Sequence, residues 1–527
     1  MNIIVRITYI LSIIVAVSCT DLDLEPKDLT TADKVFQDPS QYRSFLAKLY
    51  AGLAVSGQQG PSGQPDIQGI DEGFSQYLRG YWKIQQLSTD EAVTRWGDEG
   101  IRDLNDHNWT ASNQFTEAFY ARIFFQIGLA NQFLRETTDD KLAERGVNDN
   151  LRSDIRSFRA EARFLRALSY WHGLDLFRNI PFFTDADGLT SEAPEQADPQ
   201  TVFDFIESEL LAIENELPEP RSNEYGRVDR AAAWVLLSKL YLNAEVYLGQ
   251  PKYTECLTFC NKVIDANAYT LTSTYGHLFL ADNHTSDEVI FTVPFDGDNT
   301  RSFGGMTFLT HMPVGGSMNA ADFGIDGGWA GMRTTSALVD LFPDPDGTAD
   351  RRSGLFWTDG QTKEISESGF LDFTNGIGIV KYRNVTSTGE PGKNSGHPDT
   401  DFVFFRLADV YLMYAEAVLR GGTGGDMNTA LDLVNRIRER AYEGAGGNIT
   451  SGELTLDFIL DERGRELYWE CYRRTDLIRF NRFTENGLWP FKGGAPNGVT
   501  TDKFRDVYPI PSSELIANTK LEQNQGY

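Results

Sequence analysis

Residues that most hydrolases and disulfide scaffolds depend on are scarce in this chain. Its 527 residues include six histidines and four cysteines. No two histidines stand at a zinc-binding spacing, and the HExxH, GxSxG and GxxxxGK[ST] signatures are all missing. With Cys19 set aside, Cys256, Cys260 and Cys471 remain, an odd number that argues against a disulfide framework. Cys256 and Cys260 fall one turn apart on an expected helix and read as small buried side chains rather than a metal or redox pair. Basic charge is short as well. Lys and Arg total 48 against 76 Asp and Glu, for a net charge of −28, which excludes nucleic acid and anionic lipid as partners.

Long apolar runs are also missing. Ile7 to Val17 is the most apolar stretch, broken only by Thr8 and Ser12. It is too short for the roughly 20 residues that span a bilayer core. Preceded by Arg6 and followed by Ala16-Val17-Ser18-Cys19, it predicts a secretory signal at 1–18. A cysteine after small residues makes Cys19 the expected lipid anchor, holding the protein to a membrane through acyl chains. Losing Arg6 takes the net charge from −28 to −29. The acidic stretch Thr20 to Asp28 reads as a tether.

What the chain has is helical periodicity. Segments 114–136, 152–178, 230–248, 404–420, 427–442 and 455–480 show it most clearly, and the residues 31–60 add to it. The helix 230–248, the turn Gly249-Gln250-Pro251 and the helix after it resemble a tetratricopeptide unit. The expected class is therefore mostly all-α: a stack of helix pairs over about 31–60, 114–282 and 404–480, with minor β. Residues 404–419 are apolar nearly all round and should be buried. Arg156, Arg159, Arg163 and Arg166 form a basic stripe that should be solvated or paired with carboxylates. Asp461, Glu462, Glu466 and Glu470 interleave with Arg463, Arg465, Arg473 and Arg474. That pattern describes a salt-bridged helix more than the catalytic acid pair of a glycosidase.

Between the helices lie irregular stretches rich in Gly, Asp, Ser and Asn, at about 57–113 and 295–400. Loops this long usually carry a function. They hold Tyr77, Tyr81, Trp82, Trp96 and Trp109, then Phe295, Phe303, Phe308, Phe323, Trp329, Phe356 and Trp357. Aromatics in polar loops suit sugar, whose C–H face stacks on a ring while its hydroxyls seek Asp, Asn and Arg. Asp399 and Asp401, in Pro398-Asp399-Thr400-Asp401, fit either a surface turn or, with loop oxygens, a calcium ion.

Five blocks in order carry a resemblance to a known family: 158–183 (FRAEARFLRALSYWHGLDLFRNIPFF), 230–264, 405–422 (FRLADVYLMYAEAVLRGG), 461–483 (DERGRELYWECYRRTDLIRFNRF) and 508–527. The chain resembles the SusD/RagB family over nearly its whole mature length. The resemblance implies a non-catalytic cell-surface lipoprotein of the outer membrane that binds a glycan beside a SusC-like TonB-dependent transporter, which imports it. Loops at 64–73, 87–91, 300–305 and 488–498 are similar to those of the family's starch-binding prototype. Carried over, the binding arc would be Trp96, Phe303 and Trp329, with Asp71 and Arg79 as polar partners. Phe303 stands where the prototype has Tyr, and Thr94 where it has another Trp; the resemblance leaves Trp82 to compensate. No cofactor is required, and calcium on Asp399 and Asp401 is a family-level expectation. Competing readings are the same scaffold on another glycan, a glycoside hydrolase, and a purely structural partner of the transporter.

Overall fold

The computed structural model describes residues 32–188 and 192–527. Cys19 and the expected signal at 1–18 lie outside the described residues. Twelve described helices have seven or more residues: α1 (Ser40–Ala54), α2 (Tyr77–Gln86), α3 (Gln114–Glu136), α4 (Asp149–Phe177), α5 (Pro199–Ile213), α6 (Arg230–Leu242), α7 (Tyr253–Asp265), α8 (Gly305–His311), α9 (Leu407–Leu419), α10 (Met427–Ala441), α11 (Leu456–Leu467) and α12 (Arg473–Arg479). Their starts are written in the sequence. The side chains of Asn113, Asn148, Asp198, Asp229, Asp426 and Thr455 accept from the first free N–H groups of α3, α4, α5, α6, α10 and α11.

The helices pair as expected. α3 packs on α4, α6 on α7 and α9 on α10, while α7 against α9 and α4 against α5 extend the stack. In α9, Leu407 through Ala417 are buried without a gap. Arg163 and Arg166 of the basic stripe both pair with Glu209 of α5, while Arg159 donates to Leu134 O and to the Thr137 hydroxyl. Cys256 and Cys260 are buried with their sulfurs 4.0 Å apart, and Cys471 is buried too. No described helix is long and apolar enough to cross a membrane.

Four short antiparallel pairs supply the β content among the described residues. Two of them matter here: β1 (Val93–Thr94) with β3 (Met332–Arg333), and β2 (Val289–Val293) with β4 (Phe402–Arg406). The expected helix 404–420 therefore opens as strand β4 and turns helical only at Leu407. A short buried apolar run gives no periodic signal to separate the two.

The expected single helix 455–480 is also corrected. It breaks between α11 and α12, with Trp469 and Cys471 in the left-handed region at φ 62° and 70°. Glu462, Glu466 and Glu470 are buried rather than lining a solvated face. Glu462 accepts from Arg352 (2.8 Å), Arg438 and Arg465. Glu466 accepts from Arg352, Arg406 and Arg440. Glu470 pairs with Arg406 (2.7 Å) and Lys381. Glu288 closes the network on Arg406 and Arg440. Burial would raise the Glu466 carboxyl, but the surrounding guanidiniums of Arg440, Arg406 and Arg352 outweigh it and hold it at about 2. Burying charge costs several kcal/mol per ion and is tolerated only when every charge has partners. Arg352 comes from the 295–400 stretch, Arg406 from the end of β4 and Arg440 from α10, so the break in the helix serves a hub shared by distant segments.

Candidate functional site

The loop-rich stretches meet over the first turn of α2. The Gln76 side-chain oxygen caps this helix by accepting from Arg79 N (2.9 Å) and also accepts from Gly305 N (2.6 Å). One amide thus ties the start of α2 to the start of α8. Arg79 then points into a box of aromatic rings. Its guanidinium carbon sits 4.9 Å from the centre of Phe308, and 5.7 Å from each of Trp96 and Trp329. Its Nη1 donates to Phe303 O at 2.8 Å. Burial pulls the Arg79 guanidinium down to about 10 while Asp71 and Asp98 pull it back, so it stays charged at neutral pH.

The two indoles are placed by the β1–β3 ribbon. Thr94 pairs with Met332, and Arg95 N donates to Gly331 O at 2.8 Å, which sets Trp96 against Gly331. A Cβ at residue 331 would fall 2.3 Å from the Trp96 ring, so only glycine lets the indole lie there. Trp329 N donates to His311 O at 2.8 Å, and the Trp329 ring lies 5.2 Å from the His311 imidazole. Trp96 and Trp329 end with ring centres 6.3 Å apart and planes inclined at 43°. Both are half-buried, and Phe303 is 42 % exposed. Asp71, which accepts from Phe74 N, is exposed. A Cβ on Gly73 would meet Asp71 Oδ1, Phe303 Cβ and Arg79 Nη1 within 3.7 Å, which puts these three residues in one small neighbourhood.

The structure therefore brings Trp96, Trp329, Phe303, Arg79 and Asp71 together. Trp82 is a correction. It has no exposed surface and is wedged edge-on between Phe308 (5.4 Å) and Trp469 (5.1 Å). Every residue of α2 except Arg79 is buried, so Trp82, three residues on, belongs to the core. Tyr77 and Tyr81 on the same helix are core too, and so is Trp109 in the segment before α3. Thr94 is buried as well, and its hydroxyl accepts from Trp96 N. Phe308 and His311, which back the two indoles, were missed as site residues because the 295–400 stretch reads as irregular. Their i, i+3 spacing in Phe308-Leu309-Thr310-His311 was the available signal.

Asp399 and Asp401 do not fit a cation. Asp399 accepts from Gly297 N (2.9 Å) and Lys393 N (2.6 Å). Asp401 is buried and accepts from Phe295 N (2.7 Å) and the Tyr225 hydroxyl (2.5 Å). N–H and O–H donors occupy the oxygens that a calcium ion would need, and among the described residues no three acidic, His or Cys side chains converge as a metal set. The expected calcium pair is a structural pin between loops.

The family model for the SusD family matches residues 363–527. Over 565 aligned residues, covering 97 % of this chain and 96 % of the relative, the chain is 35 % identical to the starch-binding protein SusD of Bacteroides thetaiotaomicron. The chain belongs to the SusD family. SusD-like protein P2 of Formosa agariphila is 26 % identical over 99 % of both chains. Among solved structures, a SusD superfamily protein from Parabacteroides distasonis superposes with a TM-score of 0.70 at 22 % identity, covering 93 % of this chain and 99 % of the other. The surface glycan-binding protein A of Bacteroides thetaiotaomicron, solved with laminarihexaose, superposes with a TM-score of 0.69 at 18 % identity over 92 % and 99 %. These two likenesses show the shared fold, and the mostly helical SusD architecture is the one expected from periodicity.

Proposed function

We propose that this protein is a non-catalytic lipoprotein of the outer-membrane surface, anchored through Cys19, that binds starch or malto-oligosaccharide and hands it to a SusC-like TonB-dependent transporter. One observation carries the binding reading: two half-buried indoles inclined at 43° beside the half-exposed guanidinium of Arg79, with an exposed Phe and an Asp next to them. Indole faces stack on the C–H faces of successive sugar rings. Inclined faces suit a chain that turns from one ring to the next, as an α-linked glucan does, more than a flat ribbon. Asp71 and the half-exposed Arg79 supply an acceptor and donors for hydroxyls along the edge. The 35 % identical relative named as starch-binding supports the same ligand.

An open shelf of two or three rings should bind with a Kd of about 10 μM to 1 mM, roughly −4 to −7 kcal/mol. Titration calorimetry with maltoheptaose and laminarihexaose, on the wild type and on Trp96→Ala and Trp329→Ala, tests it. The expected outcome is measurable maltoheptaose binding lost in both variants. Unchanged affinity in both would remove the site assignment. A preference for laminarihexaose would favour the second reading, another glycan on the same scaffold, which the Phe at 303 supports because it offers the ligand no hydroxyl. Steady release of reducing ends from starch by the pure protein would overturn the non-catalytic reading.

A further inference from the structure

A second aromatic stands ready on another part of the surface. Tyr225 is 50 % exposed, yet it is fixed at both ends. Its backbone sits in a turn closed by Arg227 N donating to Glu224 O at 3.0 Å, with Gly226 at φ 78°. Its hydroxyl donates at 2.5 Å to Asp401, itself only 4 % exposed and held by Phe295 N. The exposed His284 imidazole meets the ring edge-on, with centres 6.1 Å apart and planes at 74°. Beside the ring opens a cavity of about 210 Å³, lined by Arg221, Asn223, Glu224, His284 and Ser286 among others.

The arginines around this cavity are each paired. Arg221 meets Asp287 at 2.8 Å, Arg43 meets Glu224 at 2.6 Å, and Arg227 meets Glu161 at 2.5 Å. With each of these arginines paired to a carboxylate, the described residues lining the cavity offer no unpaired guanidinium or ammonium to a phosphate, a sulfate or a uronic acid. It has a fixed ring face, an imidazole and a rim of paired polar groups. That combination suits a neutral ligand with one apolar face and a hydroxyl edge.

We infer that the Tyr225–His284 cavity is a second glycan-contact site, taking a single neutral sugar unit by stacking on Tyr225. It takes the ligand class proposed for the Trp96–Trp329 surface, but its geometry does not depend on that surface. A ring already fixed by a buried hydrogen bond loses little freedom on binding, so even one stacked unit yields usable affinity. A weak second contact adds most on a long or polymeric glycan that reaches both places, by raising effective concentration.

The test uses the full chain with Trp96→Ala and Trp329→Ala combined, probed by saturation-transfer NMR with maltoheptaose and with laminarihexaose. The expected result is a residual ligand signal in the double variant that disappears on adding Tyr225→Ala. His284→Ala, which leaves the Tyr225–Asp401 bond in place, should weaken the same signal, and a thermal melt establishes that each protein is folded. Retention of Tyr225→Ala alone in a starch gel should fall several-fold while its affinity for maltotriose stays at the wild-type value. A folded double variant with no residual signal, or a residual signal indifferent to both Tyr225→Ala and His284→Ala, overturns this site and leaves wild-type binding at the indoles untouched. If the double variant binds as well as the wild type and Tyr225→Ala alone abolishes binding, the indole surface fails and this site stands.

Discussion

The helical stack and the loop-built shelf handle charge in opposite ways. In the stack, Arg406 has no exposed side chain to speak of and is matched by Glu288, Glu466 and Glu470, and Arg352 by Asp350, Glu462 and Glu466. On the shelf, Arg79 has one carbonyl partner, three aromatic rings and a buried Nε without a protein acceptor. A fully paired arginine adds rigidity and has nothing left to offer a ligand. A half-paired one keeps donors in reserve. The difference separates the residues that hold the fold from those that can recognise something.

Substitution should sharpen the contrast. Arg406→Ala takes one cationic partner from each of three buried carboxylates, Glu288, Glu466 and Glu470, and should cost about 3–5 kcal/mol of stability, read by chemical denaturation. A loss below ~1 kcal/mol would mean the network is not what joins β4 to α10 and α11. Acid repeats that experiment without mutation. Burial works against the charged forms of Asp409, Glu416 and Glu466, but their lysine and arginine partners outweigh it and hold all three at about 2. Because their folded values are depressed, their stabilisation is complete above the ordinary carboxylate range and is lost as pH falls from roughly 4.5 toward 2. A denaturation midpoint that stays flat across that window would contradict the network.

The shelf should respond in the other currency. Trp329→Ala should weaken maltoheptaose binding ~10-fold or more at a stability cost of about 1–2 kcal/mol. Gly331→Ala puts a methyl into the Trp96 ring and should weaken binding several-fold through displacement of that ring alone. A Gly331→Ala protein that binds normally would show that Trp96 can move without penalty. The smallest effect is expected from EDTA. Since donors already occupy Asp399 and Asp401, chelation should leave both the melting temperature and the affinity unchanged, and a fall in either would reinstate a cation there.

Helix pairs were legible in the sequence because apolar spacing over 15 or more residues has few competing explanations. α3, α4 and α9 follow from it, as does the burial of Cys256 and Cys260. The charged segment 455–480 misled because its alternating acids and arginines look the same whether they pair along one helix or across a buried hub. Which partner each takes depends on Arg352, Arg406 and Arg440, dozens of residues away. Trp82 misled for a related reason. Local sequence shows an aromatic near Arg79 but not that α2 is buried at every position except Arg79. The gathering of Trp96, Trp329, Phe303, Arg79 and Asp71 was legible only through family resemblance, since nothing in local spacing brings residue 96 to residue 329. The two-residue ribbon β1–β3 does that, and it is too short to leave a periodic trace.

The hub around Glu466 has a consequence for how such a protein can diversify. Its members reach into the roots of the variable-looking loops, through Arg352 and Arg406, while the tips that carry Trp96, Phe303 and Trp329 lie outside it. Trp96, Phe303 and Trp329 can be replaced without altering a member of the hub, whereas a change at Arg352 or Arg406 alters the pairing of several buried carboxylates at once. A lineage built this way can exchange one sugar preference for another by small edits at the rim and keep its scaffold intact throughout.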